Sequence, residues 1–149
     1  MFKYLCFSFV MLPVLAQAKI GSEQCADVGR AIELATLSSF TDDLKIDRST
    51  ILEHKTEVKL LGVFPVSDIL AKQLAEDAYK KAMAQKNSIV LSREQYYSIY
   101  HDDNVKSISA KYTFTNRDGK KNVFIALGYI NDNECSVDYG GYLTLAREF

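Results

Sequence analysis

The segment 107–149 constrains the fold more than any other part of the chain, because it has the pattern of three consecutive antiparallel strands. Alternate residues are apolar from 108 to 114, which is typical of a strand with one buried face. Asp118 and Gly119 come next, and an Asp-Gly pair favours a tight hairpin because glycine adopts positive φ without steric cost. The following run, 123–130, is apolar on both faces and predicts a central strand.

A last strand is predicted at the C-terminus. Its apolar residues alternate from Cys135 to Tyr139 and again from Leu143 to Leu145. The glycine pair at 140–141 interrupts the pattern, and glycine inside a strand often marks a bulge or a kink. Together these segments predict a sheet with one face that helices must cover.

Two main helices are predicted upstream of this sheet. Apolar residues recur at spacings of three and four from Ser22, a possible N-cap, to Phe40. The same periodicity returns in a longer helix that begins after Ser67 and ends near Asn87. Both helices have one apolar side, so we expect both to pack on the sheet.

The remaining segments complete the predicted fold. The stretch 51–64 has the pattern of a strand that Pro65 stops. The stretch 87–104 is ambiguous, since 88–91 fits a short strand whereas the capping-box spacing at 92–95 fits the start of a short helix. We therefore predict one α+β domain at 19–149, with two main helices packed on one face of a four- to five-stranded antiparallel sheet.

The first 18 residues have the pattern of a secretory signal peptide. They contain an early cation, Lys3, an apolar run at 4–15 and the small-residue ending Ala16-Gln17-Ala18. The apolar run is shorter than the roughly 20 residues that a membrane-spanning helix needs. We therefore expect cleavage after Ala18, a periplasmic or secreted location and no stable membrane insertion of the mature chain.

Two cysteines remain after this cleavage, Cys25 and Cys135. Two cysteines in an exported protein usually pair, because the compartment is oxidising, so a disulfide between them is predicted. A free nucleophilic thiol is the alternative, and it would need a positioned base in a chain with only two histidines. The net charge of −1 argues against a nucleic-acid-binding protein, which would need a basic face.

A tyrosine-rich and acidic segment at 96–103 is the main candidate for a binding surface. Tyrosine buries a large ring at low entropic cost and keeps a hydroxyl for hydrogen bonding, which suits it to protein interfaces. The alternative is that the rings pack inside the domain and the aspartates form a solvated turn. The residues predicted to bind a partner are Tyr96, Tyr97, Tyr100, His101, Asp102, Asp103, Tyr139 and Tyr142.

The sequence gives less support to catalytic or metal-binding residues than to a binding surface. His101 beside Asp102 has the residue types of a general base with an orienting carboxylate, but adjacent residues seldom have the required geometry, and a surface histidine is the simpler interpretation. The acidic residues at 132–138 lack the ligand spacing of a calcium loop. We therefore predict no catalytic residue, no metal site and no cofactor.

The two ends of the mature chain resemble small bacterial periplasmic immunity and inhibitor proteins of the colicin M immunity type. The likeness is carried by EQCAD at 23–27 and ECSVDY at 134–139. In that family a cysteine near the first helix and a cysteine in a late strand staple a helix-on-sheet domain. The resemblance implies a protein that works by binding rather than by catalysis.

Three functions are open at this point. The first is an exported immunity or inhibitor protein that occludes the active site of a secreted toxin or cell-wall-degrading enzyme. The second is a carrier of a small ligand, with an apolar pocket between sheet and helix. The third is a small hydrolase that uses His101 or His54. A homodimer through exposed strand edges is also compatible with the pattern. The pocket of the carrier would be lined by Phe124, Ala126, Gly128 and Ile130.

Overall fold

The computed structural model of this chain describes residues 21–86 and 88–149. The predicted signal peptide and the helix end predicted at Asn87 lie outside the described residues. Three α-helices and four strands follow one another as α1 (Ala31–Leu44), β1 (Glu57–Pro65), α2 (Asp68–Ala84), α3 (Arg93–His101), β2 (Lys106–Thr115), β3 (Lys121–Ile130) and β4 (Asp138–Ala146). The strands form one antiparallel sheet in the order β1-β2-β3-β4, so the predicted single α+β domain is confirmed.

The register of β2 and β3 confirms the predicted alternation. The two strands pair without interruption, with Tyr112 opposite Phe124 and Ile108 opposite Gly128. The turn between them contains Gly119 at φ 79°, as the Asp-Gly pair predicts. The apolar residues at even positions of both strands therefore share one face, and this inner face is buried.

Helix α1 covers the inner face of β3 and β4. Its residues Leu37 and Phe40 have no exposed surface, and the Phe40 ring stacks on Phe124 with centroids 4.5 Å apart. A Cβ built on Gly128 would lie 2.9 Å from two side-chain carbons of Ile32, so the absence of a side chain at Gly128 allows α1 to approach β3 closely. These contacts form the main hydrophobic core.

Helices α2 and α3 pack on each other and connect β1 to β2. The Ser67 hydroxyl accepts a hydrogen bond from the Leu70 amide at the start of α2, and Ser92 with Gln95 forms a complete capping box at the start of α3. The pair has its own small hydrophobic cluster, separate from the main core. The second main helix thus packs chiefly on α3, an arrangement that the sequence did not predict.

Two predicted element boundaries are wrong, and the open alternative at 87–104 is decided. The first helix starts at Ala31 instead of following Ser22, because the chain makes a 3-10 turn and then passes through Gly29 at φ 82°. The strand predicted from 51 starts at Glu57, since two short 3-10 turns precede it. The segment 88–91 has no strand, and the alternative helix beginning after Ser92 is the one that forms.

The Cys25–Cys135 disulfide is confirmed, with Cα atoms 5.2 Å apart. It joins the 3-10 turn Ser22–Ala26 to the segment just before β4, and not a helix to a strand as predicted, because β4 begins only at Asp138. Within the described part of the chain, no helix is long and apolar enough to cross a membrane.

Candidate functional site

The helical pair α2–α3 is an excursion from the sheet. Strands β1 and β2 are antiparallel neighbours, and such strands need only a tight turn to connect them. Here the chain leaves after Pro65, builds two helices and returns at Lys106. Excursions of this kind on a rigid scaffold commonly carry the binding residues of a protein.

Tyr97 lies at the centre of a polar cluster on this helical pair. Its hydroxyl donates a hydrogen bond of 2.6 Å to Asp68 Oδ1, and Lys72 Nζ donates to the other oxygen of Asp68 at 2.8 Å. His101 stacks on the Tyr97 ring with centroids 4.7 Å apart, and its Nδ1 lies 3.1 Å from Asp102 Oδ1. We call Asp68, Lys72, Tyr97, His101 and Asp102 the hairpin cluster.

The hydrogen bonds of the hairpin cluster favour the ionised form of its two carboxyl groups and the protonated form of its tyrosine. The bonds from Lys72 and Tyr97 lower the pKa of Asp68, and the bond to Asp68 raises the pKa of Tyr97 to about 12. Hydrogen bonds from His101 and Ser98 lower the pKa of Asp102. The cluster therefore presents two carboxylates and a neutral tyrosine to solvent.

Two of the predicted tyrosines on α3 have structural contacts. Tyr100 is only 5% exposed; its hydroxyl donates to Asp138 Oδ2 at 2.6 Å and its ring packs edge-on against Tyr129. Burial and the Asp138 bond raise the pKa of Tyr100, so it stays protonated as a donor. Tyr96 packs edge-on against Tyr79 of α2. These rings hold the helical pair together and attach it to the start of β4.

Tyr139 and Tyr142 lie on β4 and bond to α1. The Tyr139 hydroxyl lies 3.1 Å from Thr36 Oγ1, and the Tyr142 hydroxyl donates to Asp43 Oδ2 at 2.8 Å. Their hydroxyls are thus engaged on the α1 side of the sheet, and neither tyrosine bonds to the hairpin cluster. Asp103 has φ 57° in the turn after α3, and its carbonyl accepts a hydrogen bond from the Asp132 amide. The structure therefore brings together Tyr97, His101 and Asp102 among the eight predicted residues.

Several contributors to this surface were missed from the sequence. Asp68 and Lys72 are four residues apart on α2, which predicts an ion pair but not its contact with Tyr97. Arg93 bonds Glu76 at 2.8 Å and lies 4.0 Å above the Tyr79 ring, although Glu76 and Arg93 are far apart in sequence. A shallow groove of about 370 Å³ runs between the helices beside these residues. Only the packing of α2 on α3 creates this groove.

The histidines do not form a triad in the described structure. The His101 ring stacks on Tyr97 and its Nδ1 lies 3.1 Å from Asp102 Oδ1, so the contacts recorded for this histidine are with a tyrosine and an aspartate. In a Ser-His-Asp triad the histidine must lie in the middle, because it takes the proton from the serine. His54 lines a different concavity, together with Arg48 and Arg117.

The lining proposed for a ligand carrier is occupied by the core of the domain. Phe124, Ala126 and Ile130 have no exposed surface, and Gly128 is covered by Ile32. Side chains of α1 pack directly on two of these positions, with Phe40 on Phe124 and Ile32 on Gly128. These four residues therefore belong to the core, and the carrier function stays a prediction.

The hairpin cluster combines one stacked aromatic pair with exposed carboxylates. Among the described residues, no group of three or more His, Cys, Asp or Glu side chains has the arrangement of a metal site. The comparisons with known proteins add no relative from which a site could be transferred. No protein family, no curated protein and no solved structure matches this chain.

Proposed function

We propose that this protein is an exported inhibitor or immunity protein that binds a secreted toxin or a cell-wall-degrading enzyme and occludes its active site. The observation that carries the proposal is the helical excursion α2–α3, which presents the hairpin cluster outside the main core. An aromatic side chain beside carboxylates fits a cleft lined by basic groups, where complementary charge favours association.

The disulfide supports the exported part of the proposal. Disulfides persist in oxidising compartments, and Cys25 and Cys135 are joined in this chain. The signal-peptide pattern at 1–18 points to the same compartment. A binding protein that works outside the cytoplasm needs this kind of covalent stabilisation more than an intracellular one does.

Capture followed by inhibition tests the proposal. The tagged mature chain is used to capture partners from periplasmic and secreted fractions, and each captured hydrolase is assayed with and without the protein. We expect one hydrolase to be inhibited at a one-to-one ratio. A Tyr97→Ala/Asp102→Ala variant should weaken that inhibition by about tenfold or more, since interface tyrosines commonly contribute 1–2 kcal/mol or more.

A matched control separates this surface from the rest of the molecule. Tyr142 and Asp43 also form a tyrosine–aspartate hydrogen bond, on the α1 side of the sheet. The Tyr142→Ala/Asp43→Ala variant should inhibit as the unmodified protein does. If it loses inhibition while the Tyr97 variant keeps it, the binding surface is not the hairpin cluster. If no captured hydrolase is inhibited, the proposed function is wrong.

A further inference from the structure

A basic concavity lies beside the turn that joins β2 to β3. The two 3-10 turns that precede β1 are attached to this turn, because the Arg117 amide donates a hydrogen bond of 3.0 Å to the Thr50 carbonyl and an isolated bridge joins Ile51 to Asn116. The two segments enclose an open concavity of about 660 Å³. Its lining contains no residue of the hairpin cluster.

The side chains around this concavity supply more hydrogen-bond donors than acceptors. Among the described residues that line it there are two arginines and a histidine but only one carboxylate. A guanidinium group stays charged at physiological pH and has five N–H donors in a planar arrangement, with no acceptor. The lining therefore suits a ligand that is negatively charged and accepts hydrogen bonds. Its charged and titratable members are Arg48, Glu53, His54 and Arg117.

Both guanidinium groups retain donors for such a ligand. Arg48 Nε donates to Glu53 Oε1 at 2.9 Å, which orients the guanidinium group and engages the one carboxylate of the lining. Within the described part of the chain, the Arg117 side chain makes no hydrogen bond or ion pair. The bond from the Ser49 amide, more than the charge of Arg117, lowers the pKa of Asp47, and Asp47 does not line the concavity.

The backbone that carries Arg117 is held by its own turn. Asn116 Oδ1 accepts hydrogen bonds from the amides of Asp118 and Lys120, both at 3.0 Å. Gly119 provides the positive φ of 79° that the turn requires. A ligand would therefore have to order the arginine side chain but not the main chain, which lowers the entropic cost of binding.

We propose that this concavity binds a phosphate group, either as inorganic phosphate or as part of a small phosphate monoester. Arginine recognises oxyanions through parallel N–H bonds. Two guanidinium groups offer more donors than the two oxygens of a carboxylate can accept, whereas a phosphate monoester has three terminal acceptor oxygens. Ile51 and Leu52 also line the concavity and would contact an apolar substituent. This site goes beyond the proposed inhibitor function and uses a different surface from the hairpin cluster.

A protein-observed NMR titration of the mature, disulfide-bonded chain with inorganic phosphate tests the proposal. It is run at neutral pH and constant low ionic strength, because salt screens exposed charges. We expect shifts at Arg117 and Arg48 and a dissociation constant of about 1 mM or lower. Butyl phosphate distinguishes the two sources of the group: tighter binding than that of inorganic phosphate assigns the site to a monoester, and equal binding assigns it to free phosphate. Acetate should bind about tenfold more weakly.

Three variants decide whether these arginines are responsible. Arg117→Gln should raise the dissociation constant by about tenfold or more and leave the fold intact, since no described hydrogen bond uses this side chain. Arg30→Gln is the matched control at the N-cap of α1, outside the lining, and should leave binding unchanged. Glu53→Gln should strengthen binding, because it removes the carboxylate that competes for Arg48.

Three results would overturn the proposal: no phosphate binding up to about 10 mM, equal affinity for acetate and phosphate, or an equal loss in the Arg30 and Arg117 variants. Thermal unfolding of each variant confirms that it is folded. Inhibition of a captured hydrolase is measured separately and depends on the hairpin cluster. Failure of phosphate binding therefore leaves the proposed function standing.

Discussion

Two tyrosines of α3 make hydrogen bonds of equal length to aspartates in different surroundings. Tyr97 bonds Asp68 at the surface of the helical pair, and Tyr100 bonds Asp138 where α3 meets the start of β4. Water competes with the first bond, whereas the second is partly buried and would leave Asp138 without its donor if it were lost. The bond of Tyr100 should therefore contribute more to stability than the bond of Tyr97, which the proposed function assigns to recognition.

Replacing each tyrosine by phenylalanine tests this difference. Tyr100→Phe should lower the free energy of unfolding by about 1–2 kcal/mol, because it removes a partly buried hydrogen bond to a charged acceptor. Tyr97→Phe is the matched control and should cost about 0.5 kcal/mol or less, since the lost bond is exposed. Urea denaturation at neutral pH measures both values. Equal losses would contradict the structural role assigned to Tyr100.

The buried Glu33 should make the stability of the protein depend on pH. It lies in the first turn of α1, is 2% exposed and accepts a hydrogen bond from the Gly29 amide at 3.2 Å. Burial raises the pKa of Glu33 above its usual value, and the nearby Glu53 adds to this, while the Gly29 bond opposes it. The folded protein therefore holds this proton to higher pH than the unfolded chain does.

Stability should consequently fall as pH rises through the unfolded pKa of Glu33, about 4.3, and stay lower once the buried carboxyl ionises. Glu33→Gln keeps an acceptor for Gly29 but has no charge to bury. The variant should be more stable than the unmodified protein at pH 7 and nearly equal to it at about pH 3.5, where glutamic acid is neutral in both states. Thermal unfolding at the two pH values measures this. Destabilisation by Glu33→Gln at pH 7 would show that the ionised form is favoured.

At the scale of elements, the packing of α1 on β3 depends on one close approach. Ile32 occupies the space where a side chain at Gly128 would be. Interiors are packed so closely that an added methyl group must displace something. The pairing of β3 with β2 and β4 holds the backbone of Gly128 in place. A side chain added at Gly128 would therefore have to push α1 away from the sheet.

Gly128→Ala should therefore lower the free energy of unfolding by about 1–3 kcal/mol, because its new Cβ meets Ile32. In an Ile32→Ala background, which removes both contacting carbons, the same substitution should cost clearly less. A double-mutant cycle with urea denaturation measures the difference. Strictly additive effects would show that Ile32 is not what opposes the methyl group.

At the scale of the whole molecule, the disulfide is the only covalent link between distant parts of the described chain. Cys25 and Cys135 are 110 residues apart in sequence, so the link encloses the helical excursion and three of the four strands. Cross-linking such a long loop removes many conformations from the unfolded chain. The disulfide should therefore raise the unfolding free energy of the whole domain rather than stabilise one helix or strand.

A Cys25→Ala/Cys135→Ala variant of the mature chain should lose about 4 kcal/mol of unfolding free energy on the loop-entropy account, with strain and residual structure reducing that figure. Urea denaturation of both forms gives the value. A loss below about 1 kcal/mol would mean that the link contributes little to stability. Thiol titration of the native protein should find neither Cys25 nor Cys135 free. Two reactive thiols would show that the disulfide does not form.

The sequence alone determined the elements whose local chemistry and periodicity agree. The period of two at 108–114, the Asp118-Gly119 turn and the serine caps at Ser67 and Ser92 each follow from interactions within a few residues. The cysteine pairing was also predictable, because only two cysteines follow the predicted signal peptide. Local signals of this kind act the same way whatever the rest of the chain does.

Only the tertiary structure decided which tyrosines lie in the hairpin cluster and where α2 packs. Tyr97 and Tyr100 are three residues apart on α3, and what separates them is the hydrogen-bond partner, which is Asp68 on α2 for Tyr97 and Asp138 on β4 for Tyr100. The start of α1 depends likewise on the disulfide and on Gly29, which override an apolar spacing that would suit a longer helix. Contacts between residues far apart in sequence determine these features. The periodicity of a single segment contains no information about such contacts.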